Sequence, residues 1–105
     1  MLRIHDVMLE VIAMLRPIVR IIERHDREHA AQLRDASNSA LFNIAEGGGS
    51  SAGVRAQRYR NALGSARETL TNLRAAHAWG YIDAPSPVLV GKLNHVIGTL
   101  VRVTT

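Results

Sequence analysis

Four stretches of the chain repeat apolar residues at helical spacing, and no segment alternates long enough to make a strand. The first is expected from Leu2 to Arg24. On a helical wheel Ile4, Val11 and Ile18 share one line. Val7, Met14 and Ile21 lie to one side, Met8, Leu15 and Ile22 to the other, and Ile12 and Val19 further round. The arc spans about 160°, against the ~100° stripe of an ordinary surface helix. One bundle core does not use so wide a face, so Val7, Ile12, Met14, Val19 and Ile21 are expected at a subunit interface. Pro17 is expected to kink this helix or to remove one hydrogen bond from it.

The second helix is expected from Asp26, a plausible N-cap, to Glu46. Ala30, Leu33, Ser37, Ala40, Leu41 and Ile44 keep to one face, and many of them are small, which lets a neighbour approach closely. Gly47 is the expected C-terminal cap. Residues 47–53 (GGGSSAG) form the flexible connection. A glycine-rich loop before a helix can hold phosphate, but the Walker lysine is absent and no strand precedes it, so a plain interhelical loop is favoured. The third helix is expected from Ala52 to Trp79, with Tyr59, Leu63, Ala66, Leu70, Leu73 and His77 as a seam spaced by fours and threes. Gly80 ends it. Ser86 as N-cap and Pro87 at the first helical position open a fourth, which runs to Val103 with Leu89, Leu93, Val96, Ile97 and Leu100 inward. Short connections between such helices make an all-α, up-down-up-down four-helix bundle.

Composition tightens this picture. A chain of 105 residues builds one domain around one core. At 47% apolar residues it is not a disordered chain. The only aromatics are Phe42, Tyr59, Trp79 and Tyr81, so aliphatic residues and alanine must fill the core. There is no cysteine, which excludes disulfides and thiolate metal sites and fits a reducing, cytoplasmic setting. The N-terminal apolar stretch is broken by Glu10, Arg16 and Arg20, so it reads neither as a secretory signal nor as a membrane span.

Catalytic chemistry finds little support. No Glu-x-x-His pair occurs, so the di-metal site of some bundles has no ligands here. His25 and His29, spaced i, i+4, are the only candidate metal clasp, and a solvated charged corner competes with it. Each serine has a cap, turn or small-packing explanation. His5, His77 and His95 lack a carboxylate fixed by local spacing, and His77 is expected at the core edge with one hydrogen bond. No general acid and base pair is evident, so catalytic residues, metal and cofactors are all expected to be none. Glu46 and Glu68 fall in small or apolar stretches. A partly buried carboxylate needs a partner, and Arg34, Tyr59 and Asn43 are candidates for a polar network that fixes helix register.

The net charge of +4 comes from twelve arginines and one lysine, Lys92. Arginine suits bidentate contacts to phosphate or carboxylate, although a G- and C-rich genome gives the same bias. Arg60, Arg67 and Arg74 recur every seven residues on the third helix and share one stripe, preceded by Arg55 and Arg58. Such a stripe suits phosphates or simply faces water. It lacks the interleaved aromatics of a single-strand platform.

The run LRDASNSALFNIAEG (Leu33–Gly47), then NALGSARE (Asn61–Glu68) and AWGYI (Ala78–Ile82), resembles the signature of a bacterial four-helix bundle family. That family is related to the intervening-sequence protein of large-subunit ribosomal RNA genes. It also includes the accessory variability determinant of diversity-generating retroelements. Asn43, Glu46 and Gly47, then Gly64, Ser65 and Glu68, carry the most specific part. The resemblance implies a ring-forming homo-oligomer, typically a pentamer, in a family for which no enzymatic activity is established. For one branch it implies a basic barrel that binds a reverse transcriptase and nucleic acid. This chain departs from the family at Gly48–Ser51, where basic residues are common, and at Ala56 and Arg60, where an aromatic and an apolar residue are common. The leading expectation is a non-catalytic homo-oligomer whose Arg55, Arg58, Arg60, Arg67 and Arg74 bind RNA, DNA or a nucleic-acid enzyme. The alternatives are an adaptor for an acidic protein and a metal-binding bundle.

Overall fold

The computed structural model describes residues 3–105, so Leu2 lies outside the described residues. It contains four helices, α1 (Ile4–Glu23), α2 (Arg27–Gly48), α3 (Ala52–Ala78) and α4 (Pro87–Thr104). Each packs against the next, and α4 returns against α1. The links of residues 24–26 and 49–51 leave room only to reverse direction. Cross-helix contacts His29–Asn72, Ser39–Ser65 and Glu46–Arg58 confirm that α2 and α3 run antiparallel. The bundle measures 42 × 24 × 20 Å, and its long axis is set by the 27 residues of α3 at about 1.5 Å each.

α2 and α4 begin where a side chain satisfies a free N–H group. Asp26 Oδ1 accepts from the His29 backbone N–H at 2.9 Å, and Ser86 Oγ accepts from that of Leu89 at 3.1 Å, with Pro87 at the first turn. Gly80, at φ +80°, sits where the chain leaves α3, a conformation glycine adopts without strain.

α2 does not stop at Glu46. It runs through Gly47 and Gly48, and the expected seven-residue loop shrinks to residues 49–51. Side chains hold this end together. Arg55 donates to the Gly47 and Ser50 carbonyls at 3.3 and 3.0 Å, and Ser50 Oγ donates to the Glu46 carbonyl at 2.6 Å. A cation bonded to terminal carbonyls suits the negative end of a helix.

The core divides unequally among the helices. α1 contributes Ile4, Met8, Val11, Leu15, Val19 and Ile22, and α4 contributes Leu89, Leu93, Val96 and Leu100. α2 and α3 face each other mainly through Ala36, Ala40, Gly47, Ala62, Ala66 and Ala76, with Tyr59 against Gly47. The α3 seam turns further toward α2 than its leucines indicate. Ala62, Thr69, Asn72 and Ala76 are buried, whereas Leu63 is half-buried and His77 exposed. Thr69 and Asn72 are buried because their side chains bond the carbonyls one turn back, those of Ser65 and Glu68.

The wide apolar arc of α1 is largely absorbed inside the protomer. Val19, expected at a subunit interface, belongs to the core. Val7, Ile12, Met14 and Ile18 are half-buried against it, and only Ile21 of the expected interface set is exposed. Met14, Ile18 and Ile21 line a cleft of about 590 Å³ with residues 80–86 and Leu89. The surplus arc therefore serves the loop that joins α3 to α4. Pro17 lies on the exposed side, and α1 runs unbroken through it.

Two glycines make opposite predictions. A Cβ at Gly47 would overlap the Tyr59 ring, lying 2.7 Å from Cδ1, whereas one at Gly64 meets nothing within 4 Å. Gly47→Ala should destabilise by about 1–3 kcal/mol through overpacking. Gly64→Ala should stabilise by about 0.5–1 kcal/mol, because alanine is the better helix former. Urea unfolding of the two variants checks both signs.

Candidate functional site

The arginines expected to act together fall on two sides of α3. Arg58, Ser65 and Asn72 mark the flank that contacts α2. Arg58 pairs with Glu46 at 2.9 Å, and Arg55 caps the end of α2. Both are thus committed to the fold. Arg60, Arg67 and Arg74 lie on the opposite flank, beside α4, and all three are exposed. Among the described residues none has a carboxylate within 4.0 Å. Arg60 makes only a 3.5 Å contact with Gln57 Oε1.

Heptad spacing puts successive arginines of this line about 10 Å apart. Their surroundings favour a negative ligand. α4 contains no Asp or Glu, its Lys92 pairing with Glu10 of α1 at 3.2 Å, while α3 holds one carboxylate residue, Glu68. Residues 52–105 carry seven cationic side chains against two carboxylates, whereas residues 1–51 carry six against seven. The charge excess of the chain thus lies in its α3–α4 half. Fixed like charges with no counter-charge between them raise the local positive potential.

The polar network exists, but not around the carboxylates. Glu46 and Glu68 are both exposed, and Arg34 pairs with Glu23 at 3.5 Å instead. Tyr59 is buried as the packing partner of Gly47. The half-buried contacts run through hydroxyls. Ser39 Oγ and Ser65 Oγ are 2.7 Å apart across α2 and α3, and Asn43 Nδ2 donates to the Ser39 carbonyl at 2.9 Å and to its hydroxyl at 3.3 Å. Carboxylates at these helix positions reach water more cheaply than they accept burial. Gly64 is exposed and takes no part.

A second cluster closes the end of the bundle where both hairpin turns meet. The Tyr81 ring stacks on His25 at 5.3 Å and meets the edge of His29 at 5.8 Å. Its hydroxyl donates to Asp26 Oδ2 at 3.4 Å. His29 Nε2 donates to the Asn72 carbonyl at 2.8 Å. His77 Nδ1 donates to the Ile82 carbonyl at 3.1 Å, a single bond as expected, though from an exposed ring. His25 and His29 therefore pack on one aromatic ring rather than around a common centre. Among the described residues no three His, Asp or Glu side chains are placed to hold a metal ion. Tyr81 escapes a sequence reading because it sits in a turn, remote from the histidines it joins.

Compared with models of known families, with characterised proteins and with solved structures, the chain matches none. What the geometry defines is a class: a four-helix bundle with one cationic face. No helix among the described residues is long and apolar enough to cross a membrane.

Partial burial, the Asp26 charge and the bond to that carboxylate raise the Tyr81 phenol above its ordinary value of 10.0. The fold thus favours neutral Tyr81. Its stabilisation is complete below about pH 10, the value in the unfolded chain, and is lost as pH rises through the higher folded value. Urea midpoints should fall between pH 8 and pH 11, and should fall less for Tyr81→Phe. Equal losses in both proteins would rule out this linkage.

Proposed function

We propose that this protein is a non-catalytic, self-assembling bundle that binds nucleic acid through Arg60, Arg67 and Arg74. The observation that carries the proposal is three exposed arginines on one line, free of carboxylate partners, beside a helix with no acidic residue. Phosphates repeated along a strand are the ligand such a line fits, because the contact is electrostatic and needs no pocket. Arg55 and Arg58 contribute through the fold, by holding the start of α3 against α2. The resemblance of Leu33–Gly47 and Asn61–Glu68 to the intervening-sequence and accessory-determinant family supports the same reading. It supplies the expectation of a ring, typically of five copies, and of a reverse transcriptase as one kind of partner. Assembly multiplies the arginine line by symmetry and steepens the field at its surface.

The triple substitution Arg60→Glu, Arg67→Glu and Arg74→Glu should abolish binding of labelled RNA or DNA. Helicity and sedimentation should stay unchanged, because all three side chains point to solvent. For the unsubstituted protein, log K should fall against log salt with a slope of roughly −3 on duplex and −2 on single strands for each line of three engaged. No binding even at low salt rejects the nucleic-acid reading. Loss of binding to an acidic protein instead, with nucleic acid unaffected, points to the adaptor alternative.

A further inference from the structure

We infer that copies of this chain meet through the outer face of α1 and α2, with an α1 line of Leu9, Arg16 and Arg20 against a neighbour's α2 line of Phe42, Asp35 and Glu28. The inference rests on the self-assembly part of the proposed function and gives that assembly a surface.

The two lines match in character and in level. α1 and α2 are antiparallel about the link centred on His25, so residues equally far from it stand at the same height. Leu9 and Phe42 are sixteen and seventeen residues from His25, Arg16 and Asp35 nine and ten, Arg20 and Glu28 five and three. Each rung pairs like with like or opposite with opposite: two exposed apolar side chains, then two cation–anion pairs. Leu9 is 45% and Phe42 60% exposed, and large apolar groups left in water at one height favour burial against each other. Among the described residues Arg16, Arg20, Glu28 and Asp35 have no oppositely charged side chain within 4.0 Å, so all four are available to a neighbour.

Between the lines runs a groove of about 360 Å³ lined by Ile12, Leu15 and Val19 together with Arg16, Arg20 and the Glu23–Arg34 pair. It gives a neighbour's ridge an apolar floor. The three rungs run from Leu9 to Arg20, about 17 Å along α1. Because the rungs match at equal height, the symmetry axis must run parallel to the helices. An axis across them keeps at most one rung: placed at the Arg16–Asp35 level, it would set Leu9 against Glu28. A parallel axis closes either a pair or a ring, and the mass distinguishes them.

The test is sedimentation of the full chain at micromolar concentration. The unsubstituted protein should sediment as more than one chain. Arg16→Glu with Arg20→Glu should weaken association at least tenfold, as should Glu28→Arg with Asp35→Arg. All four changes together should restore it, because every rung then pairs with its sign reversed. Phe42→Ala should weaken association without changing the salt dependence. These side chains are exposed, so circular dichroism should report the same helix content throughout. An assembly that survives both double substitutions overturns the surface and leaves self-assembly standing, as does a fourfold variant no better than the doubles. A strictly monomeric unsubstituted protein overturns both. The α3 triple substitution should leave the assembly intact, which separates this surface from the nucleic-acid face.

Discussion

Close approach of α2 and α3 is the constraint on which the rest of the bundle depends. Alanines line both sides of this seam, and Gly47 admits the Tyr59 ring into space that any Cβ would occupy. Small side chains bury little area each, so the seam gains its stability from dispersion at short range and from hydrogen bonds that span it. Ser39 and Ser65 meet near its middle, His29 and Asn72 near one end, and Glu46 and Arg58 near the other. The last pair is half exposed and contributes under about 1 kcal/mol. Its service is to register, together with Arg55 on the carbonyls of α2.

With α2 and α3 drawn together, the larger side chains of α1 and α4 fill the remaining volume. The wide apolar arc of α1 follows from that asymmetry. It must cover two alanine-rich helices, meet α4, and support the loop of residues 80–86. Tyr81 then ties that loop to the opposite turn through His25, His29 and Asp26, so the end of the bundle is closed by aromatic contact rather than by core packing.

Charge follows the same division. The seam uses Arg55 and Arg58 internally, and the far flank of α3 keeps Arg60, Arg67 and Arg74 for solvent or a ligand. The α1–α2 half is nearly neutral and carries both signs on each helix, with Arg16 and Arg20 sharing one line on α1 and Glu28 and Asp35 one line on α2. The cationic line on α3 and the face proposed for assembly lie on different sides of one bundle, so the proposed binding and assembly would not compete for surface.

By itself the sequence determined the number, order and approximate ends of the helices. Periodicity of Leu, Ile and Val, with Asp26, Ser86 and Pro87 as start signals, is local information and survives without tertiary contacts. It also placed Arg60, Arg67 and Arg74 on one stripe, because heptad spacing fixes a helix face. Only the tertiary structure decided which flank each residue faces. Arg55 and Arg58 precede the stripe in sequence but lie about 140° and 160° from it round the helix, and packing decided that this other side faces α2. Glu46 and Glu68 look enclosed by small residues yet reach water, and the α1 arc looks surplus until the loop of residues 80–86 folds onto it. Gly47 and Gly48 read as a loop but continue a helix, because Tyr59 and Arg55, a helix away, fill the space and bond the carbonyls that glycine leaves open. Wheel and spacing arguments give the angle of a side chain about its own axis. Where the neighbouring axis lies is set by packing, and that information is not local.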